Sequence, residues 1–204
     1  MIQNADAATS VRDGDYADTN YGAETQLKAK ARSAEFHRRT LIRFDLSNAQ
    51  TSFDDAILSV TQLTNHANQQ IRVFGVTDGN DNWDEHLITF NSATALGLLD
   101  SSVAADLGVI DFSPANNGQT VSFASAALTN FLRDGVGDDG LVTLLITSTQ
   151  TWNIENAVFA AREHGVLGPT LRFTDTDAVS LPIAALMFAP LALLMVSLRI
   201  IPVH

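Results

Sequence analysis

Alternation of apolar and polar residues over short runs is the feature that most constrains how this chain folds. Arg39–Leu46 reads Arg-Thr-Leu-Ile-Arg-Phe-Asp-Leu, a period of two that is typical of a β-strand. Clusters such as Asp78–Gly79–Asn80 and Asp138–Asp139–Gly140 separate the runs, as turns do. Further runs rich in β-branched or aromatic residues predict strands at Thr25–Lys30, Ala56–Leu63, Ile71–Val76, Leu141–Thr147, Ala157–Arg162 and Thr170–Phe173.

One short helix is predicted at Ser125–Asp134. Leu128, Phe131 and Leu132 fall on one helical face there, and Gly135 favours a C-terminal stop. Many short strands with a single helix indicate an all-β fold, a β-sandwich or jelly roll. The chain has 204 residues, 46% of them hydrophobic, which is enough to bury the core of one such domain.

The composition changes sharply after Phe173. We therefore divide the chain into a β-sandwich module at residues 5–174, a polar linker at 175–180 and a hydrophobic C-terminal segment at 181–203. Leu181–Leu198 carries no charge and is close to the ~20 apolar residues that a bilayer core requires. This run predicts a membrane anchor or sorting segment. The alternative is a buried C-terminal helix of the domain.

Charge and composition exclude several functional classes. The formal net charge of -11 argues against nucleic acid as a partner, because phosphate binding needs a cationic surface. The chain has no cysteine, which rules out disulfides, a thiol nucleophile and a Cys-ligated zinc site. The sequence also lacks a nucleophile-elbow motif and a Gly-rich phosphate loop. We therefore expect a protein that is not an enzyme.

Five motifs, in order along the chain, resemble one known family. They are Ala17–Gly22 (Ala-Asp-Thr-Asn-Tyr-Gly), Arg39–Leu46, Trp83–Glu85, Phe159–Glu163 (Phe-Ala-Ala-Arg-Glu) and Pro169–Phe173. Together they resemble the DNRLRE domain, a disaggregatase-related β-sandwich counted among the carbohydrate-binding modules. The family pattern has serine where Ala161 stands here. The resemblance implies a non-catalytic module that binds polysaccharide, in a cell-surface or secreted bacterial protein.

The tail is similar to a PEP-CTERM-type sorting signal. Val179–Pro182 stands where the short Pro-containing motif belongs, before the apolar run, and Arg199 is the basic residue after it. The resemblance implies an extracytoplasmic protein that is tethered to the membrane through the tail. A plain membrane anchor is the alternative interpretation. Met1–Ser10 shows no apolar run typical of a secretory signal peptide.

An acidic loop near the start of the chain is a candidate metal site. Asp13, Asp15, Asp18 and Asn20 lie close together around Gly14, and oxygen ligands at this density suit calcium. We predict a structural calcium ion here. The alternative is a set of Asx turns, in which the carboxylates accept backbone N–H groups.

A basic cluster gives the candidate ligand-binding face. Half of the 12 Lys and Arg residues fall in Lys28–Arg43. Strand alternation puts Lys28 and Lys30 on the same face of one strand, and Arg39 and Arg43 on the same face of the next, so the two adjacent strands would present one cationic face. Guanidinium groups bind carboxylates in a bidentate manner, so this face predicts binding of an acidic polysaccharide such as a polyuronate. The alternative is a solvated sheet face with internal carboxylate partners.

Aromatic side chains supply the remaining ligand candidates. Trp83 and Trp152, together with Tyr16 and Tyr21, offer flat apolar rings that stack on sugars. The alternative for each is packing in the core or in a loop. Beside a carbohydrate-binding module, two other functions stay open: a structural or adhesion matrix protein with no sugar site, and a polysaccharide-degrading enzyme.

Overall fold

Antiparallel β-sheets build the fold. The computed structural model describes residues 1–31, 36–49, 52–63, 68–77, 80–136, 139–150 and 156–174. Its strands are β1 (Ile2–Asn4), β2 (Ala7–Arg12), β3 (Gln26–Ala29), β4 (Arg38–Asp45), β5 (Asp55–Thr61), β6 (Gln69–Gly75), β7 (Ala105–Phe112), β8 (Thr120–Ala124), β9 (Leu141–Ser148), β10 (Ala157–Ala160) and β11 (Thr170–Thr174). One sheet has four strands in the order β1-β11-β5-β8, and a second has five in the order β2-β4-β9-β6-β7. Strand β3 pairs with β10.

The two helices in the described ranges begin at side-chain caps. Helix α1 spans Phe90–Ala95, and Thr89 and Ser92 form a capping box at its start. Helix α2 spans Ala126–Val136. The Ser125 hydroxyl accepts a hydrogen bond from the backbone N–H of Leu128 at 3.0 Å, as an N-cap does. The helix predicted at Ser125–Asp134 is thus confirmed.

Both faces of the five-stranded sheet carry apolar side chains that are buried against other parts of the fold. The inner face packs against the four-stranded sheet and β10, with Ile42, Phe44 and Phe159 fully buried between them. The outer face packs against residues 80–99, which we call the covering segment. Leu41 of β4 lies in this second core together with Trp83. The β-sandwich predicted from sequence is confirmed, although the period of two did not show that both faces are covered.

The predicted strands all appear, and the structure adds four more within the described residues: β1, β2, β7 and β8. Strand β2 reads Ala-Ala-Thr-Ser-Val-Arg and is buried on both faces, so it has no alternation. Strand β7 contains Gly108 at φ +126, opposite a register shift between Val73 and Phe74 of β6. Helix α1 was missed because six residues are too few to show a helical period.

The Asn-Tyr-Gly motif fixes the covering segment to the loop that follows β2. The Asn20 amide donates to the carbonyl oxygens of Glu85 and Ile88, both at 2.7 Å. A Cβ atom on Gly22 would lie 1.9 Å from the Glu85 carbonyl oxygen. Only glycine allows this close approach of two backbones, which explains why glycine ends the motif.

A buried carboxylate joins two other motifs of the family pattern. The side chain of Glu85, 6% exposed, accepts a hydrogen bond from the backbone N–H of Ala8 at 2.9 Å. It also accepts from the guanidinium of Arg162. Charge-assisted bonds of this kind are about twice as strong as neutral ones. The Trp-Asp-Glu and Arg-Glu motifs therefore form one structural contact between β2, the covering segment and the turn after β10.

The hydrophobic C-terminal segment predicted at 181–203, and the linker at 175–180, lie outside the described residues. In the ranges that the structure describes, no helix is both long and apolar enough to cross a lipid bilayer.

A candidate ligand-binding cleft

A cleft of about 190 Å³ opens where β2 ends, β4 begins and β3 runs alongside them. Positively charged and tyrosine side chains dominate its walls. The lining residues are Ser10, Val11, Arg12, Tyr16, Tyr21, Glu24, Lys28 and Arg38. We call it the cationic cleft.

Strand register brings the two arginines of the cationic cleft together. Arg12 and Arg38 are direct partners in the antiparallel pairing of β2 with β4. Like charges at directly opposite positions cost stability in a sheet. Burial, together with the neighbouring charge of Arg12, lowers the pKa of Arg38 below the ordinary value for arginine. Arginine nevertheless stays protonated under all relevant conditions. An anion in the cleft would therefore relieve this repulsion.

The groups around the two arginines compensate only part of their charge. Arg38 donates to the amide oxygen of Asn156 at 3.3 Å, which is a neutral partner. Lys28 forms an ion pair with Glu24 at 2.8 Å. The Nε atom of Arg12 is buried and has no hydrogen-bond partner among the described residues. Three cations thus line the cleft with one carboxylate, in a protein whose net charge is -11.

Tyrosine rings add an apolar surface beside these charges. Tyr16 ends a short 3-10 turn, Gly14–Tyr16, and is 44% exposed. The guanidinium of Arg12 lies 3.6 Å from the centre of its ring, at cation–π distance. Tyr21 lines the same cleft. An exposed ring next to guanidinium groups can stack on a sugar while the charges bind its carboxylate.

The structure divides the cationic face that was predicted from sequence. Lys28 lines the cleft, and Lys30 lies next to it, where its backbone bridges to Arg38. Arg39 and Arg43 point to the outer face of β4 instead. Arg39 donates to the carbonyl oxygen of Leu99 in the covering segment. The four side chains therefore do not form one ligand face.

Arg43 holds the covering segment rather than facing solvent. It forms an ion pair with Asp6 at 2.8 Å and donates to the carbonyl oxygens of Asp81 and Trp83. Its side chain is 15% exposed. Asp84 and Glu85 line the cavity of about 290 Å³ beside it, so its surroundings are acidic. We correct the sequence interpretation accordingly: Arg43 stabilises the fold at this position.

The tryptophans do not supply an open stacking surface within the described residues. Trp83 is 3% exposed, and its ring lies in the second core. Its indole N–H donates to the hydroxyl of Thr143 on β9 at 3.0 Å. Trp83 is therefore a packing residue, contrary to the prediction that it stacks on sugar. Trp152 lies outside the described residues.

The acidic loop contains the residues predicted to bind calcium, and most of them contact protein groups. Asp13 accepts from the backbone N–H of His37 at 2.8 Å, and Asp18 accepts from the Asn91 amide at 2.7 Å. The oxygen of the Asn20 amide accepts from the Gly22 N–H. Asp15 lies in the 3-10 turn. No group of three or more acidic or histidine side chains converges in the described part of the chain. The calcium ion stays a prediction.

Arg12 and Arg38 are the two cationic residues of the cleft that sequence reasoning did not select. Arg38 belonged to the basic cluster, but strand alternation favoured Arg39 and Arg43. Arg12 closes β2, a strand whose uniform burial gave no alternating pattern. The signal that could have found Arg12 is its position between that strand and the Asp-Gly-Asp turn.

A family model matches the whole described part of the chain. Residues 1–175 match the model for carbohydrate-binding module family 96. No curated protein matches the chain. The match ends one residue after β11, the last strand described.

Proposed function

Because the chain belongs to carbohydrate-binding module family 96, we propose that it binds an acidic polysaccharide through the cationic cleft and does not transform it. The name DNRLRE, suggested by the motifs, stays a prediction. The location is a prediction as well. We propose that the module acts outside the cytoplasm, at the cell surface. We also propose that the uncharged run Leu181–Leu198 tethers it to a membrane.

The observation that carries the proposal is the convergence of Arg12, Lys28 and Arg38 on one cleft beside an exposed tyrosine ring. Such a concentration of positive charge in an acidic protein attracts an anion, and the arginine fork matches the geometry of a uronate carboxylate. Tyr16 gives the sugar ring a flat apolar contact. A neutral polymer would leave the repulsion between Arg12 and Arg38 uncompensated.

Binding to polygalacturonate, measured by calorimetry or affinity electrophoresis, tests the proposal. Replacing Arg38 by glutamine removes one charge but keeps a hydrogen-bonding side chain, and we expect affinity to fall about tenfold or more. Affinity should also fall as salt rises, because exposed charges are screened beyond ~10 Å at 0.1 M ionic strength. Neutral glucan should bind poorly, and incubation with polymer should release no shorter products.

Arg72→Ala is the matched control. Arg72 lies on the same sheet and carries the same charge, but it pairs with Asp106 and does not line the cleft. We expect this variant to bind polygalacturonate like the original protein. If Arg38→Gln and Arg72→Ala weaken binding equally, or if the original protein binds no acidic polymer, the proposal is wrong. Absence of all polysaccharide binding would favour the structural or adhesion role.

A further inference from the structure

A second polar surface lies at the same end of the five-stranded sheet as the cationic cleft. It is a groove of about 470 Å³ formed where β6 begins and where β7 and β9 end. Side-chain amides, hydroxyls and one carboxylate provide its polar groups, and no lysine or arginine lines it among the described residues. Four of these groups belong to Gln69, Gln70, Asp111 and Thr149. We call it the amide groove.

Gln69 is the unusual residue of the amide groove. It is 2% exposed, yet neither its amide nitrogen nor its amide oxygen has a hydrogen-bond partner among the described residues. Most buried side-chain polar atoms are hydrogen-bonded, since an unpaired buried amide loses its hydration without compensation. The amide offers an NH2 donor group and an acceptor oxygen side by side. This arrangement suits neighbouring hydroxyl groups, or an acetamido group, of a bound sugar.

Hydrogen bonds among the neighbouring side chains of the groove hold them in a fixed orientation. The Gln70 amide donates to Asp111 Oδ1 at 2.8 Å, and the Thr149 hydroxyl donates to the Gln70 amide oxygen at 3.0 Å. Asp111 therefore keeps a second carboxylate oxygen for a ligand hydroxyl. The same carboxylate repels another carboxylate. The groove thus favours an uncharged sugar unit over a uronate.

Strand register puts the two surfaces within reach of one polymer. Arg12 pairs with Arg38 at one end of the sheet. Ser148, at the end of β9, pairs with Ile71 near the start of β6, so the groove opens at the same end. Strand β9 alone separates β4 from β6, and adjacent strands lie ~4.8 Å apart, which puts the two strands ~10 Å from each other.

We propose that the amide groove is a second subsite, which binds an uncharged sugar unit of the same polysaccharide whose carboxylate lies in the cationic cleft. This inference rests on the proposed function. It narrows the ligand to a heteropolysaccharide that contains both acidic and neutral units. A homopolymer of uronic acids uses only the cleft and meets repulsion from Asp111.

The test compares two acidic polymers on the full chain. Hyaluronan alternates a uronate with an uncharged N-acetylated sugar, whereas polygalacturonate contains uronate alone. We expect Gln69→Leu, which keeps the side-chain size and removes the amide, to lower the ratio of hyaluronan to polygalacturonate affinity about tenfold. The melting temperature of this variant should be unchanged or higher, because the unpaired amide is gone. A merely structural role for Gln69 would lower it.

Gln70→Ala keeps the test decisive if Gln69→Leu does not fold, and Arg72→Ala is the control that should leave the ratio unchanged. Arg38→Gln should lower the affinity for both polymers by a similar factor. If the Gln69 and Gln70 variants leave the affinity ratio unchanged, the subsite is overturned while the proposed function stands. If the original protein binds neither polymer, both fail. If it binds only neutral glucan, the acidic ligand and the subsite as proposed are both wrong, even if Gln70→Ala abolishes that binding.

Discussion

Removal of the Glu85 carboxylate is the sharpest test of how the covering segment is held. Glu85→Ala leaves the buried N–H of Ala8 without its acceptor, which costs about 1–3 kcal/mol. Breaking a fully buried ion pair costs about 3–5 kcal/mol. Arg162 is 39% exposed and also contacts Glu163 at 3.1 Å, so water and that carboxylate retain part of its stabilisation. We therefore expect the free energy of unfolding to fall by about 2–4 kcal/mol.

Urea denaturation followed by tryptophan fluorescence measures this change, since the buried Trp83 lies two residues away and reports on the same segment. The melting temperature should fall by about 5–15 °C. Arg72→Ala is the matched control, because the Arg72–Asp106 pair is 45% and 50% exposed and contributes about 0–1 kcal/mol. If Glu85→Ala destabilises no more than this control, the Glu85 contacts do not hold the segment.

Three further predictions concern stability. Arg43→Ala should lower the free energy of unfolding by about 2–4 kcal/mol, because the carbonyl oxygens of Asp81 and Trp83 lose their donor; a urea midpoint equal to that of Lys28→Ala would contradict this. If calcium binds the Asp13–Asn20 loop, chelation of metal-loaded protein with EDTA should lower the melting temperature. An unchanged melting temperature in EDTA would contradict a structural calcium ion in this loop. Deletion of residues 181–204 should leave a soluble domain with a cooperative melt, since β11 ends at Thr174; aggregation of the shortened chain would show that the segment belongs to the core.

Local sequence pattern predicted the strands that are rich in β-branched and aromatic residues, including strands whose two faces are both buried. Strand β4 was predicted within one residue at each end, because its β-branched and aromatic residues alternate with polar ones. Helix α2 was found from its apolar face and its Ser125 cap. Strand β2 was missed because five of its six residues are buried, a consequence of tertiary packing on both sides.

The ligand site was harder to predict because it depends on what covers each face. Alternation correctly grouped Arg39 with Arg43, but the covering segment packs on that face and occupies both guanidinium groups. The pairing of Arg12 with Arg38 is a long-range contact between β2 and β4. A single sequence shows neither the packing of the covering segment on β4 nor this long-range pairing. It did identify the basic cluster from which Lys28 and Arg38 come.

The edge of the four-stranded sheet also has a mechanical consequence. Strand β1 pairs antiparallel with β11, and the backbones of Met1 and Phe173 exchange two hydrogen bonds of 3.1 and 2.9 Å. The chain that follows Thr174 therefore leaves β11 at the end of the pairing opposite to Asn4, where β1 continues towards β2. Tension between Asn4 and Thr174 acts along the two strands, so it loads their hydrogen bonds together, in shear, and not one after another. A module tethered through the segment after Thr174 and attached to a polymer at the cleft would resist tension through the pairings of β11 with β1 and β5.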